Sequence, residues 1–259
     1  MSRRLFLLLA LTVAAQAQTR TIVAISHRGE HVRHPENTMP AYRAAIEAGA
    51  DFIEVDIRTT ADGQLVSMHD ETVNRMTNGS GKVAEMTLAQ IRMLDAGIKA
   101  GPQFAGTRVP TFDEILEFAR GKAGIYLDSK RVSAADIVAA LERHGMADQC
   151  VIYAGVELLK QVAKLRPEIK IMPEASSVSV LTRLIEQLKP RVIAFDARDF
   201  ADEIIALARQ ARADIYVDRF GNFDNPAGWQ NAIDRGATGI QTDRPVELVE
   251  YLRSKRYHK

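Results

Sequence analysis

A single cysteine, Cys150, excludes an internal disulfide, so the stability of this 259-residue chain must come from its core. An excess of charge of one sign is missing too: the formal net charge is +1, and no block of like charge or Pro/Ser-rich seam divides the chain. Nucleic-acid binding leaves a clustered basic footprint. Only the tail Arg253-Ser254-Lys255-Arg256-Tyr257-His258-Lys259 resembles one, and a solvated, frayed terminus is the expectation for it. No nucleic-acid partner is therefore expected. Tryptophan is reduced to Trp229, expected to pack at a helix start, and Cys150 is expected to be an inert core residue beside a strand.

No apolar run is long enough to span a bilayer comfortably. The stretch 5–15 follows Ser2-Arg3-Arg4, and Ala15-Gln16-Ala17 then supplies the small-x-small pattern of signal-peptide cleavage. Residues 1–17 read as a secretory signal, with the mature chain starting at Gln18, exported to a periplasm or secreted, and without stable membrane insertion. Without Arg3 and Arg4, 32 basic residues face 33 acidic ones. Residues 18–259 suffice for one domain with its own core.

What the chain does have is alternation. Short Val/Ile-rich runs at 22–27, 52–58, 65–69, 124–127, 151–154, 170–173, 192–196, 215–217 and 239–242 read as strands. Helical patterns at 38–48, 111–120, 134–144, 157–165, 178–187, 201–211 and 228–235 separate most of them, with Gly49 as a C-terminal cap. This rhythm predicts an α/β fold of the TIM-type (β/α)8 barrel class, with one strand too many. The linker 58–64 is too short for a crossover helix, and Asp62-Gly63 is a hairpin signal, so 65–69 should run antiparallel to 52–58. A turn centred near Ala61-Asp62 would set His69 opposite Glu54. Residues 72–110, rich in glycine, with a short helix expected at 88–94, read as an insertion over one barrel face. Met86, Leu88, Ile91, Met93 and Leu94 give that insertion something to pack.

Glu54 and Asp56 stand two apart in the apolar run 51–57, so both carboxylates share one strand face, and buried acids need a cationic partner. His27 and Arg28 end the preceding strand, His69 ends the following one, and Asp128-Ser129-Lys130 ends a later one. In a barrel of this kind strand C-termini carry function. Three carboxylates, Glu54, Asp56 and Asp128, without cysteine point to one hard divalent cation, Mg2+ or Ca2+, with zinc less favoured. Arg28 and Lys130 beside it would make an anion pocket suited to phosphate, and His27 with His69 could accept and donate a proton. Metal-assisted phosphoryl transfer by acid–base catalysis follows from that set. Each member has a plainer reading, a hydrogen-bonded structural histidine or an Asp128–Lys130 salt bridge; the convergence carries the argument. His31 and His34 are expected to be surface loop residues.

These residues resemble the glycerophosphodiester phosphodiesterase family. The match runs through His27-Arg28-Gly29, Pro35-Glu36-Asn37-Thr38, Glu54-Val55-Asp56, Thr60-Ala61-Asp62-Gly63 and His69-Asp70. It continues through Arg75-Met76-Thr77, Gly79, Leu94-Asp95-Ala96-Gly97, Phe104-Ala105-Gly106, Pro110-Thr111 and Asp128-Ser129-Lys130, and ends at Gly239-Ile240-Gln241-Thr242-Asp243-Arg244-Pro245. The resemblance implies a TIM-type barrel that hydrolyses a small-molecule glycerophosphodiester to glycerol 3-phosphate and an alcohol such as choline, ethanolamine or glycerol. It implies Glu54, Asp56 and Asp128 as metal ligands, and His27 and His69 as the acid–base pair. Arg28 and Lys130 would hold the phosphate, with Glu36 near the metal or the substrate hydroxyls. In such enzymes the vicinal glycerol hydroxyl is thought to attack first, and water then opens the cyclic phosphate.

Two positions depart from the family pattern. Asp128 stands where the family usually carries Glu, a shortening shared with the related sphingomyelinase D enzymes. Tyr216-Val217-Asp218-Arg219-Phe220-Gly221 replaces a Trp-Thr-Val-Asn-like segment. Two alternatives stay open at this point, a phospholipase D-like activity on lysophospholipids and a barrel that binds a phosphoester without turning it over. The sequence does not fix the oligomeric state.

Overall fold

The Val/Ile runs become strands buried on both faces, as helix-covered parallel strands must be. The computed structural model describes residues 21–259; residues 1–17, read as a signal peptide, lie outside them. The chain runs β1 (Val23–Ser26), α1 (Met39–Ala48), β2 (Phe52–Thr59), β3 (Leu65–Ser67), α2 (Leu88–Arg92), α3 (Phe112–Ala119), β4 (Gly124–Ser129) and α4 (Ala134–Arg143). It continues β5 (Cys150–Tyr153), α5 (Val156–Leu165), β6 (Lys170–Met172), α6 (Val178–Leu188), β7 (Val192–Phe195), α7 (Asp202–Gln210), β8 (Asp214–Arg219), α8 (Pro226–Arg235), β9 (Gly239–Thr242) and α9 (Pro245–Ser254).

Eight parallel strands are joined in the order β6-β5-β4-β2-β1-β9-β8-β7, with β3 paired only to β2. The ends meet where Ala194 N donates to the Pro173 carbonyl and Ala175 N to the Ala194 carbonyl, each at 3.0 Å. The result is a TIM-type (β/α)8 barrel. Ile25, Tyr126, Val151, Met172, Val192 and Tyr216 fill its interior, while Ile53, Val55, Leu127 and Ile152 face the helices on one side and Ile193, Val217 and Ile240 on the other. Trp229 and Cys150 are both buried, as expected. Among the described residues no helix is long and apolar enough to cross a membrane.

Several details differ from the sequence reading. The register Ile57↔Ser67, Arg58↔Val66, Thr59↔Leu65 centres the hairpin on Asp62, half a residue later than expected, so that register carries His69 level with Val55 rather than Glu54. Pairing stops at Ser67, and His69 follows the strand instead of ending it. The tail is also not frayed. α9 buries Leu248, Val249 and Leu252, and the Tyr257 carbonyl accepts from Ile22 N at 2.8 Å. His258 Nε2 lies 3.0 Å from Asp51, and Arg253 donates to the Ala48 carbonyl. Its basic residues mask a segment that closes the bottom of the barrel.

Residues 72–110 carry a small core of their own, in which Val73, Met76, Val83, Ile91, Ala96 and Val109 pack on Val66 and Met68. Gly97 is required there, because a Cβ would meet the Phe104 carbonyl oxygen at 1.9 Å. Met93, expected to pack, is instead 84% exposed.

Candidate active site

β2 and β4 pair in register with Asp56 beside Asp128, and Glu54 sits two residues below Asp56 on the same face. Their carboxylates converge within 4.8 Å of one another, so the shorter acid at position 128 still reaches the cluster. Glu54 and Asp56 are buried, at 2% and 1% exposure. Burial, and then the charges of Asp56 and Asp128, push the Glu54 carboxyl well above the usual carboxylate range. Burial likewise raises Asp128. Three acids gathered out of water cannot all stay charged without a cation, which is the condition a divalent ion meets. The donor set, oxygen throughout, fits a hard cation.

Side chains already partly meet that need. Lys130 Nζ lies 2.6 Å from Asp128 and 3.2 Å from Asp56. Burial pulls its pKa down, but the two acids outweigh this and hold it above the usual lysine value. Arg28 Nε is 3.5 Å from Asp56 and is buried without a hydrogen bond, a donor facing the site with no acceptor in place. The loop that presents it is locally strained: Arg28 and Asn37 adopt left-handed backbone with φ 53° and 56°, and Arg131, beside Lys130, has φ 67°. Gly29 (φ 79°) completes the turn, where a Cβ would clash with the Ala41 backbone at 2.7 Å. The turn aims Arg28 N at Glu54 Oε2, 2.7 Å away.

Asn37, which the family resemblance implies as a support of the first loop, also reaches the acids. Its amide donates to Asp56 Oδ2 at 2.8 Å, while its oxygen accepts from Tyr42 Oη at 2.8 Å and Ser67 Oγ at 3.1 Å, all buried. Outer contacts of this kind are what a carboxylate needs to be held in place for a cation. Glu36 is not among the converging acids. It joins Arg28 at 3.2 Å to Arg75 at 2.7 and 2.8 Å, and lines a cavity of about 220 Å3 with His31, His34, Met76 and Lys99.

The two histidines are held alike. His27 Nδ1 is 2.7 Å from Asp243, just past β9, and His69 Nδ1 is 2.8 Å from Asp70, so each Nε2 is turned away from its carboxylate. Burial lowers the His27 pKa, against the opposing pull of Asp243. Asp70 is held well below the usual range, chiefly by Arg75, which grips it at 2.8 and 3.0 Å. Arg58 fixes the backbone at His69, donating to its carbonyl at 3.1 and 2.6 Å. Asp243 could have been found from sequence: it stands at a strand end, like the other charged residues of the site. His31 and His34 do lie in the loop after β1, but they are only partly exposed and each is held by a partner. His31 Nδ1 lies 2.7 Å from the His27 carbonyl and His34 Nδ1 2.6 Å from buried Glu30. The divergent segment places Phe220 on His27, with ring centroids 4.5 Å apart, and turns Asp218 inward, where burial pushes its carboxyl up to about 8.

The chain can be compared with known proteins on this geometry. The glycerophosphoryl diester phosphodiesterase family matches over residues 27–247. A glycerophosphodiester phosphodiesterase of Caldanaerobacter subterraneus is 35% identical over 245 residues, 90% of this chain and 98% of that one. One from Bacillus subtilis is 30% identical over 86% of this chain and 84% of its own length. Among solved structures, a glycerophosphodiester phosphodiesterase of Agrobacterium tumefaciens superposes with a TM-score of 0.80 at 32% identity, over 87% of this chain and 97% of that one. An Oleispira antarctica phosphodiesterase, solved with its product sn-glycerol-3-phosphate, shares the fold with a TM-score of 0.83 at 23% identity, over 90% of this chain and 97% of its own.

Proposed function

The chain belongs to the glycerophosphoryl diester phosphodiesterase family and is a glycerophosphodiester phosphodiesterase, and from that premise we propose how its site works. Glu54, Asp56 and Asp128 hold one divalent cation, Mg2+ or Ca2+, and Arg28 and Lys130 hold the phosphate. When bound, the cation polarises a phosphoryl oxygen and offsets its charge. The observation that carries this reading is the convergence of three acids with a buried arginine Nε that has no acceptor.

His27, driven toward its neutral form by burial, accepts the proton of the glycerol 2-hydroxyl as that oxygen attacks phosphorus. His69 gives a proton to the departing alkoxide. The bond to the leaving alcohol breaks, a cyclic phosphate forms, and the two histidines are left in exchanged protonation states. They then act in reverse on water, which opens the ring to glycerol 3-phosphate. The vicinal hydroxyl, an internal nucleophile, gains a large effective concentration from this arrangement. Glu36 holds Arg28 and Arg75 in place beside the phosphate. The chain acts after export, consistent with the N-terminal pattern of its sequence.

The test is release of glycerol 3-phosphate from glycerophosphocholine, glycerophosphoethanolamine and glycerophosphoglycerol, and of lysophosphatidate from a lysophospholipid, with Mg2+ or Ca2+ restored after chelation. Turnover of the deacylated esters is expected. Absence of product with either ion rejects the reading, and faster turnover of the lysolipid replaces it with a lysophospholipase D activity.

A further inference from the structure

His27, His31 and Asp243 form a second group whose ligand atoms lie within 4.8 Å of one another, apart from the three-acid cluster. His31 Nε2 lies 3.4 Å from Asp243 Oδ1, and His27 Nδ1 lies 2.7 Å from the same oxygen. In a tetrahedral zinc site with bonds of roughly 2.0–2.2 Å, neighbouring ligand atoms sit about 3.3–3.5 Å apart. The His31–Asp243 pair already has that separation, and His27 needs only to draw back by about 0.6 Å.

The protonation pattern points the same way. His31 Nδ1 faces the His27 carbonyl at 2.7 Å, and a carbonyl only accepts, so Nδ1 carries the hydrogen. In the neutral ring, Nε2 then turns its lone pair toward a carboxylate oxygen. Two acceptors facing each other at this distance want a cation between them. An Nδ1–H donated to a backbone carbonyl is also the outer contact that metal-ligating histidines use to fix their tautomer. Asp243 is steadied through its backbone N, which donates to Asp224 Oδ2 at 2.9 Å. The three side chains keep 18%, 22% and 33% exposure, which leaves a path for an ion and a fourth position for water.

We propose that His27, His31 and Asp243 bind a transition-metal cation of the Zn2+ class, separately from the hard cation at Glu54, Asp56 and Asp128, and that this binding inhibits the enzyme. Two imidazoles and one carboxylate suit Zn2+, Co2+ or Cu2+, whereas an all-oxygen set suits Mg2+ or Ca2+. The metal takes the lone pair of His27 Nδ1 in the other neutral tautomer, so the single ring proton moves from Nδ1 to Nε2, which then has no lone pair with which to accept the hydroxyl proton. The inhibition, though not the binding, rests on His27 acting as the base.

Co2+ serves as the probe, added to the purified protein in saturating Mg2+ or Ca2+. A four-coordinate site with nitrogen ligands gives strong visible absorption, and six oxygens give little. Wild type is expected to develop the strong bands, His31→Ala to lose them, and His31→Cys to regain them through a thiolate. In parallel, the Zn2+ concentration for half-inhibition should rise about 10- to 100-fold in His31→Ala, each variant being scored against its own zinc-free rate. Strong bands and unchanged zinc sensitivity in folded His31→Ala, checked by circular dichroism, would overturn the proposal. So would weak absorption in wild type. The absorption needs no turnover, so a failure of glycerophosphodiester hydrolysis leaves this arm readable.

Discussion

His27 and His69 make the same contact in unlike surroundings. His27 is wedged between β1 and β9, with Phe220 stacked on its ring and 18% of its side chain exposed. His69 lies just beyond a three-residue edge strand, 36% exposed, on a carboxylate that Arg75 already grips. Burial penalises an imidazolium and exposure does not, so one Nδ1–carboxylate contact can serve a base in the first setting and an acid in the second. The chemistry is set less by the dyad than by what surrounds it.

Removing either ring is the strongest way to break the comparison. His27→Ala and His69→Ala should each lower kcat on glycerophosphoglycerol about 100- to 10,000-fold, with the fold retained. Near-normal kcat in either would end its assignment. Removing the supporting carboxylates should separate the two sides: Asp243→Asn is expected to lower kcat about 10- to 100-fold, as loss of an orienting acid does. Asp70→Asn should have a smaller effect, about 10-fold or less, because Arg75 rather than the histidine is its main partner. Equal losses would show that burial does not distinguish the sites.

The pH profile sharpens the same contrast. The His27 pKa is lowered below 6.5 by burial, so the acid limb of kcat/KM should lie below pH 6.5, with activity lost as pH falls through that lowered value. Asp243 raises the His27 pKa, so Asp243→Asn should shift the limb to still lower pH. Phe220→Ala admits water to the ring and should move the limb the other way, toward 6.5. The accompanying rate change should be the smallest of the set, a few-fold, matching the roughly 0.5–1.5 kcal/mol of an aromatic pair. Shifts of the same sign in both variants would contradict this account of His27.

Much of the barrel was legible because its strands are buried on both faces and so appear as unbroken Val/Ile runs, while Asp62-Gly63 marks the one hairpin. The three acids were legible through their period of two in β2 and the strand end at Asp128. What escaped was set by packing. The half-residue shift in hairpin centre moves His69 away from Glu54, and no local signal fixes it. α9 was hidden behind a basic tail, and Asn37 was legible as a support of the first loop but not as the link by which Tyr42 of α1 and Ser67 of β3 reach Asp56. Asp243 stands at a legible strand end, but its pairing with His27 across 216 residues, and that of Phe220 across 193, is encoded by no local pattern.

The central claim is the division of labour between the two histidines, and a change of leaving group tests it most directly. A nitrophenyl ester of glycerol 3-phosphate releases a phenolate that needs no proton, whereas glycerophosphoglycerol releases an alkoxide that does. His69→Ala should recover most of its lost kcat on the nitrophenyl ester, and His27→Ala should remain impaired on both substrates. Equal impairment of the two variants on both esters, or recovery by His27→Ala instead, would contradict it.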